Sequence, residues 1–291
     1  MVRNKLYIIP AGLLVILLTL AGCSEYTENA LDDKGMMTFN ILHPKQQIAT
    51  RATENAFENG DRIGLFIVDN NNPLEQSGNY ANNAALSFDG SQWSTDKPIY
   101  WDDGTYNVYA YYPYVASVSS VDDYPFIVAT NQNGTGYTTS DFLWANKTGI
   151  TASGNPISLQ FRHCMSRILI KLVKGEDYEG DLPESAEVYI HNTVPSATID
   201  LSVGIVTRNQ YSTKQSIRAK SLGNYKYTAI LVPQRLDNRQ PLIEVVMKGV
   251  SYLYESKFLF KSGIQHSMQL VISKNPEQIK IEIGGEVENW E

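Results

Sequence analysis

Ile157-Ser-Leu-Gln-Phe-Arg-His-Cys-Met-Ser-Arg-Ile-Leu-Ile-Lys-Leu-Val173 is the stretch that decides the fold class. Apolar and polar residues alternate along it, which is the period of two of a half-buried strand rather than the 3.6 of a helix. Leu159, Phe161 and Met165 occupy odd positions, whereas Ile168, Ile170 and Leu172 occupy even ones. The apolar face therefore changes phase near Ser166, and a β-bulge that absorbs one extra residue is the expected cause.

The same period recurs on both sides. Upstream, Met37, Phe39 and Ile41 alternate with Thr38 and Asn40, and further strands are expected at 62–68, 86–93, 106–112, 126–129 and 142–145. Downstream they are expected at 187–191, 197–201, 212–219, 225–232, 242–247, 250–260, 266–273 and 278–283. In the last of these Ile279, Ile281 and Ile283 alternate without fault. Turns rich in Asp, Asn and Gly separate the strands: Asp69-Asn-Asn-Asn-Pro73, Asp89-Gly90, Asp102-Asp-Gly104 and Asn133-Gly134. Lys174-Gly-Glu-Asp-Tyr-Glu-Gly-Asp-Leu-Pro-Glu184 is acidic and broken by Gly and Pro, and reads as a linker. With no sustained period of 3.6 beyond the amino terminus, the expected fold is all-β. It comprises two tandem antiparallel β-sandwich domains, an N-terminal one over 52–175 and a C-terminal one over 176–291.

Composition agrees with a folded chain. Of 291 residues, 43% are hydrophobic and 19% charged, far from the signature of disorder. The net charge of -7 comes with no basic block, which excludes a phosphate-tracking surface and hence nucleic acid as a partner. Tyrosine is in excess, 18 against 9 Phe. Six of them, Tyr100, Tyr106, Tyr109, Tyr111, Tyr112 and Tyr114, crowd one short stretch. Cross-strand packing explains such density; a carbohydrate-stacking platform is the second reading and requires an exposed row of rings on one face.

The first 22 residues read as a secretory signal peptide: Arg3 and Lys5, then an apolar run from Leu6 to Leu20, too short and too interrupted by Pro10 and Gly12 to span a bilayer. Leu20-Ala-Gly-Cys23 closes it and resembles the bacterial lipobox. By that resemblance Cys23 becomes the first mature residue and carries acyl chains, enough for stable membrane anchoring. Cys164 is then the only thiol left, so no intramolecular disulfide forms.

Motifs for chemistry are missing. His163 precedes Cys164 directly, and neighbours on a strand face opposite ways, so the pair is badly set for nucleophilic catalysis. His43, His191 and His266 stand alone at strand ends, and no metal-ligand spacing is present. Asp102-Asp103-Gly104 is explained by a turn, with calcium as the lesser reading. A hydrolase needs only two carboxylates brought together by folding, and that alternative stays open at this level. The residues themselves identify no catalytic group, metal or cofactor.

Several segments together resemble the fimbrillin family, the subunits of type V pili in Gram-negative anaerobes. They are the lipobox at Cys23; Asn59-Gly-Asp-Arg-Ile-Gly-Leu-Phe66; Ile99-Tyr-Trp-Asp-Asp-Gly-Thr-Tyr-Asn-Val-Tyr-Ala-Tyr-Tyr-Pro113; Asp141-Phe-Leu-Trp-Ala145; Leu159-Gln-Phe-Arg-His-Cys-Met-Ser-Arg-Ile168; Ile230-Leu-Val-Pro-Gln234; and Trp290. The resemblance implies two transthyretin-like sandwiches and an outer-membrane lipoprotein at the cell surface. It also implies a lipidated propeptide over 23–51 that an arginine-specific protease cuts between Arg51 and Ala52. The lost first strand, Met37, Phe39 and Ile41, would leave a groove for a strand from another fimbrial subunit, and Ile279, Ile281 and Ile283 form a candidate donor. No cofactor is implied. A surface glycan-binding lipoprotein, or a tip or anchor subunit that is not processed, is the alternative.

Overall fold

A computed structural model describes residues 35–44, 56–275, 280–282 and 287–290. Among them the chain runs as β1 (Phe39–Leu42), β2 (Arg62–Asp69), β3 (Ala81–Phe88), β4 (Trp93–Thr95), β5 (Tyr106–Tyr112), β6 (Tyr124–Ile127), β7 (Leu143–Ile150), β8 (Ile157–Gln160), β9 (Arg162–His163), β10 (Ser166–Lys174) and β11 (Glu187–Thr193). It continues as β12 (Ser196–Asp200), β13 (Ile205–Arg208), β14 (Gln215–Arg218), β15 (Lys220–Gly223), β16 (Lys226–Leu231), β17 (Gln234–Met247), β18 (Val250–Phe260), β19 (Ile264–Ile272), β20 (Lys280–Glu282) and β21 (Val287–Asn289). The helical content of the described residues is one 3-10 turn at Thr138–Ser140. The chain is all-β, as the period of two requires.

Two cores lie on opposite faces of the sheet ordered β4-β3-β2-β5-β7-β9. Along β2, Ile63, Leu65 and Ile67 enter a smaller core, while Phe66 and Val68 enter a larger one. The smaller core also takes Val108 and Ala110 of β5 and Leu143 and Ala145 of β7, and is closed by the parallel ribbon of β1 and β8. The larger core draws on the sheet β15-β16-β10-β19-β20 through Ile168, Ile170 and Leu172, and on the sheet β14-β11-β17-β18 through Val188, Ile190, Ile243 and Val245.

The reading of 157–173 needs one correction. There is no bulge at Ser166; the segment is three strands, β8, β9 and β10, in three different sheets. Leu159 and Phe161 serve the smaller core, and Cys164, Met165 and Ile168 the larger, so the phase changes because the chain crosses from one core to the other. The expected strand over 86–93 is also two strands: β3 ends at Phe88, Asp89 accepts bonds from Ser91 N and Gln92 N at 2.8 Å each, and β4 begins at Trp93. Two ladders, β1 with β8 and β10 with β19, are parallel, in contrast to the antiparallel pairing expected throughout. Parallel partners must be joined by long connections, which local alternation does not reveal.

Bonds cross the expected boundary at 175/176. β6 pairs with β12. The fully buried side chain of Gln132 brackets Ile230, donating to its carbonyl at 2.6 Å and accepting from its N–H at 2.8 Å. Trp144 Nε1 donates to Leu201 O at 2.7 Å, and Arg162 Nη2 to Val203 O at 2.8 Å.

Gly64 of β2 is fixed by close approach: a Cβ there would lie 2.1 Å from the Tyr111 ring. Tyr111 cannot retreat easily, because its hydroxyl donates to Asn83 Oδ1 at 2.8 Å and its ring is buried. Gly64→Ala is therefore expected to lower unfolding free energy by about 1–3 kcal/mol in urea titration. Gly154→Ala, which meets nothing within 4 Å, is expected to leave it unchanged.

His266 of β19 packs edge-on to Phe258 and Phe260, at 5.2 and 6.1 Å, and its Nε2 accepts from Lys261 N at 3.2 Å. Burial, then the charge of Lys261, lowers its pKa to about 4 from 6.5. A base whose folded pKa is depressed takes up its proton more readily when unfolded, so stability falls as pH drops from about 6.5 toward 4. The expected loss is roughly 1–3 kcal/mol over that window, and His266→Leu should flatten this part of the pH profile of urea midpoints.

Candidate functional site

The first described segment, residues 35–44, is held along both edges by parts of the chain far away in sequence. On one side Met37 N donates to Ile99 O at 2.7 Å, Trp101 N donates to Gly35 O at 3.0 Å, and Met36 bridges Tyr100. On the other, β1 lies parallel to β8 in the register Phe39↔Ile157 to Leu42↔Gln160. Ile157 N donates to Thr38 O at 2.8 Å and Phe161 N to Leu42 O at 2.9 Å, extending the ladder beyond the strand ends.

Side chains follow the alternation. Met37 and Ile41 are 2% and 8% exposed, and Phe39 packs half-buried against the same core. Thr38, Asn40 and Leu42 face out. Met37, Phe39 and Ile41 share the smaller core with Ile63, Leu65, Val108 and Leu143 of the sheet, and with Leu159 beside them on β8. Burial of Met37 and Ile41 is worth about 1.5–3 kcal/mol each. What this arrangement can do chemically is bind an extended strand, through main-chain bonds at its edges and apolar pockets below.

At the end of the segment the groove turns polar and aromatic. His43 meets Phe57 edge-on at 4.9 Å and His163 at 6.1 Å. His163 is 3% exposed, is stacked on Trp290 at 3.8 Å, and has Nδ1 3.0 Å from Asp141 Oδ1. The Arg167 guanidinium lies over the other ring of this stack, 4.9 Å from the centre of Trp290. Burial first, then the neighbouring His163, lowers the pKa of His43. This cluster did not emerge from the sequence; His163 and Trp290 lie in resembling segments, but nothing local ties either to His43.

Of the other residues expected to act, Cys23, Arg51, Ala52, Ile279 and Ile283 lie outside the described residues. Ile281 lies on β20, opposite Leu270 on β19. Cys164 is fully buried and its thiol is pushed up to about 12 by burial, so it is no nucleophile. His191 does not stand alone. Its Nδ1 is 2.6 Å from Ser216 Oγ and its Nε2 is 2.9 Å from Glu244 Oε2, across three neighbouring strands, and Ser251 bonds the same carboxylate. The Ser251 bond, more than His191, holds Glu244 below the usual carboxylate range. Of the six crowded tyrosines Tyr100 alone is exposed, at 57%, while Tyr106 and Tyr111 are buried. They form no exposed row.

The profile of the fimbrillin-like family matches residues 50–290. No curated protein matches the sequence significantly. Solved structures do. A provisionally assigned cell adhesion protein from Bacteroides uniformis superposes with a TM-score of 0.69 at 18% identity, covering 89% of this chain and 99% of that one. A similarly assigned protein from Bacteroides ovatus has a TM-score of 0.69 at 20% identity, covering 88% and 96%. A fimbrial protein from Bacteroides vulgatus has a TM-score of 0.55 at 15% identity, covering 88% and 99%. At these identities the likeness is one of fold. The profile match, which runs from residue 50 to Trp290, carries the assignment: the chain belongs to the fimbrillin-like family.

Proposed function

We propose that the protein is a structural subunit of a surface fimbria, made as a lipoprotein and polymerised by strand exchange. The observation that carries this reading is the segment 35–42. It fills an apolar groove with Met37 and Ile41, is bonded along both edges, and precedes Arg51 in the sequence. A cut between Arg51 and Ala52 would part the segment from β2 and all that follows, and would fall inside no ladder of the described residues. A strand from a neighbouring subunit, for which Ile279, Ile281 and Ile283 of another copy are the candidate, would refill the groove. Such head-to-tail joining propagates as an open filament. Lipid on Cys23 would deliver the precursor to the outer membrane beforehand. No catalytic step enters this account, and the burial of Cys164 and the lack of an exposed row among Tyr100, Tyr106, Tyr109, Tyr111, Tyr112 and Tyr114 favour it over an enzyme or a glycan platform.

Mass spectrometry of fimbriae sheared from the native cells is expected to find Ala52 as the amino terminus, and gels of unheated samples to show ladders. Arg51→Ala should abolish both, and Cys23→Ala should abolish palmitate labelling. Assembled fimbriae that contain only chains beginning at lipidated Cys23 would overturn the polymerising role and leave an anchor.

The hold of the groove on its strand has its own test. Met37→Asp places a charge in the smaller apolar core, a cost of several kcal/mol. Amide hydrogen exchange should then lose protection at Phe39–Leu42 while Tyr106–Tyr112 keeps it. Equal protection in variant and parent would count against a separable strand.

A further inference from the structure

The alternation of Met37, Phe39 and Ile41 does not by itself fix where the strand sits. Moved forward by two places along β8, these three side chains would take the places of Phe39, Ile41 and His43 and still face the core. The main-chain bonds of a parallel ladder also repeat every two residues. Apolar period and backbone pairing are therefore blind to such a slip. What distinguishes the two registers is the place of His43.

That place is built from rings. Phe57 meets His43 edge-on at 4.9 Å and is itself in edge contact with Trp93 at 5.0 Å, Tyr112 at 5.7 Å and Phe161 at 5.8 Å. His163 closes the other side edge-on at 6.1 Å; its position is set by Asp141 and the Trp290 stack, and its buried Nε2 has no partner. Gln160 Nε2 donates to the His43 carbonyl at 2.8 Å, which holds the backbone at this point. A cavity of about 250 Å³ adjoins it, lined by His43, Phe57, Asp61, Tyr112, Asp141 and Trp290. Rings offered edge-to-face favour a planar partner, by about 0.5–1.5 kcal/mol per pair beyond area alone. A branched aliphatic chain gains none of this.

We infer that the place of His43 is a register-setting subsite of the groove, selecting a strand that carries an imidazole or aromatic ring two residues beyond its last buried aliphatic side chain. This deepens the strand-exchange reading and rests on it for its meaning in assembly. It also bears on the donor: two residues beyond Ile283 is Gly285, so the segment 278–283 of another copy, laid in the same direction, would leave the subsite empty. The partner that fits is a subunit whose inserted strand ends in a ring.

The test reads the register in the full chain. Asn40 and Ser158 are register partners whose side chains approach to 3.4 Å, so Asn40→Cys with Ser158→Cys reports the observed register. Thr38→Cys with Ser158→Cys reports the slip by two, which brings residue 38 opposite 158. Under mild oxidation, chains with His43 should close the 40–158 pair and not the 38–158 pair. His43→Phe should behave in the same way, and His43→Leu should close both to comparable extents. A His43→Leu chain that closes 40–158 alone, to the extent of its parent, overturns the subsite. Loss of both pairs also overturns it, since His43 would then hold the strand in place without selecting its register. Neither outcome depends on cleavage at Arg51, so failure of the subsite and failure of strand exchange are separately visible.

Discussion

A sheet buried on both faces must be covered twice. The sheet centred on β2 and β5 presents Phe66, Val68 and Tyr111 to the larger core, where several further sheets pack. Its other face, Ile63, Leu65, Ile67, Val108 and Ala110, has the β1–β8 ribbon and the Trp101 stretch as its cover. That asymmetry governs the rest. The larger core is knitted by ladders among many strands, whereas closure of the smaller one depends on a short segment that contributes two buried side chains. Most of what the segment supplies is apolar area and main-chain pairing, neither of which is tied to its particular sequence.

The strands themselves were largely legible, because alternation is a local property. β2, β5, β11 and β18 fall within a residue or two of their expected bounds, and each has one or both faces in a core. What alternation cannot state is the partner. β1 pairs with β8, more than a hundred residues on, and the choice is made by three-dimensional complementarity. β13 and β15 escaped notice because they are short and mostly exposed, so no apolar period marks them. The error at Ser166 has the same root: a phase change looks alike whether a residue is bulged or the chain changes cores.

The candidate site was half legible for related reasons. Met37, Phe39 and Ile41 declared themselves by period, and their burial follows it. The ring-lined end did not, since Phe57, Tyr112, His163 and Trp290 come from four separate stretches and share no spacing. His191 shows the converse. It looked solitary in the sequence, yet cross-strand neighbours supply Ser216 and Glu244, with an imidazole bonded at both nitrogens on the outer side of a sheet. Polar side chains on adjacent strands meet in this way as a matter of pairing, and the contact alone assigns no chemistry to them.

In the proposed strand exchange, connectivity favours β1 over β8 as the strand replaced. Both strands cover the same core, and Ile157 and Leu159 are as well buried as Met37 and Ile41. β8, however, is continuous with β9 and β10, and β10 pairs with β16 and β19 in a six-stranded sheet. Pulling β8 away would drag those ladders with it. Among the described residues β2 is the next strand after β1, and a single cut between them would fall inside no pairing of those residues. In the proposed exchange, a removable strand has to combine burial deep enough to be worth replacing with freedom from the other ladders, and among the described strands lining the smaller core β1 meets both conditions better than β8.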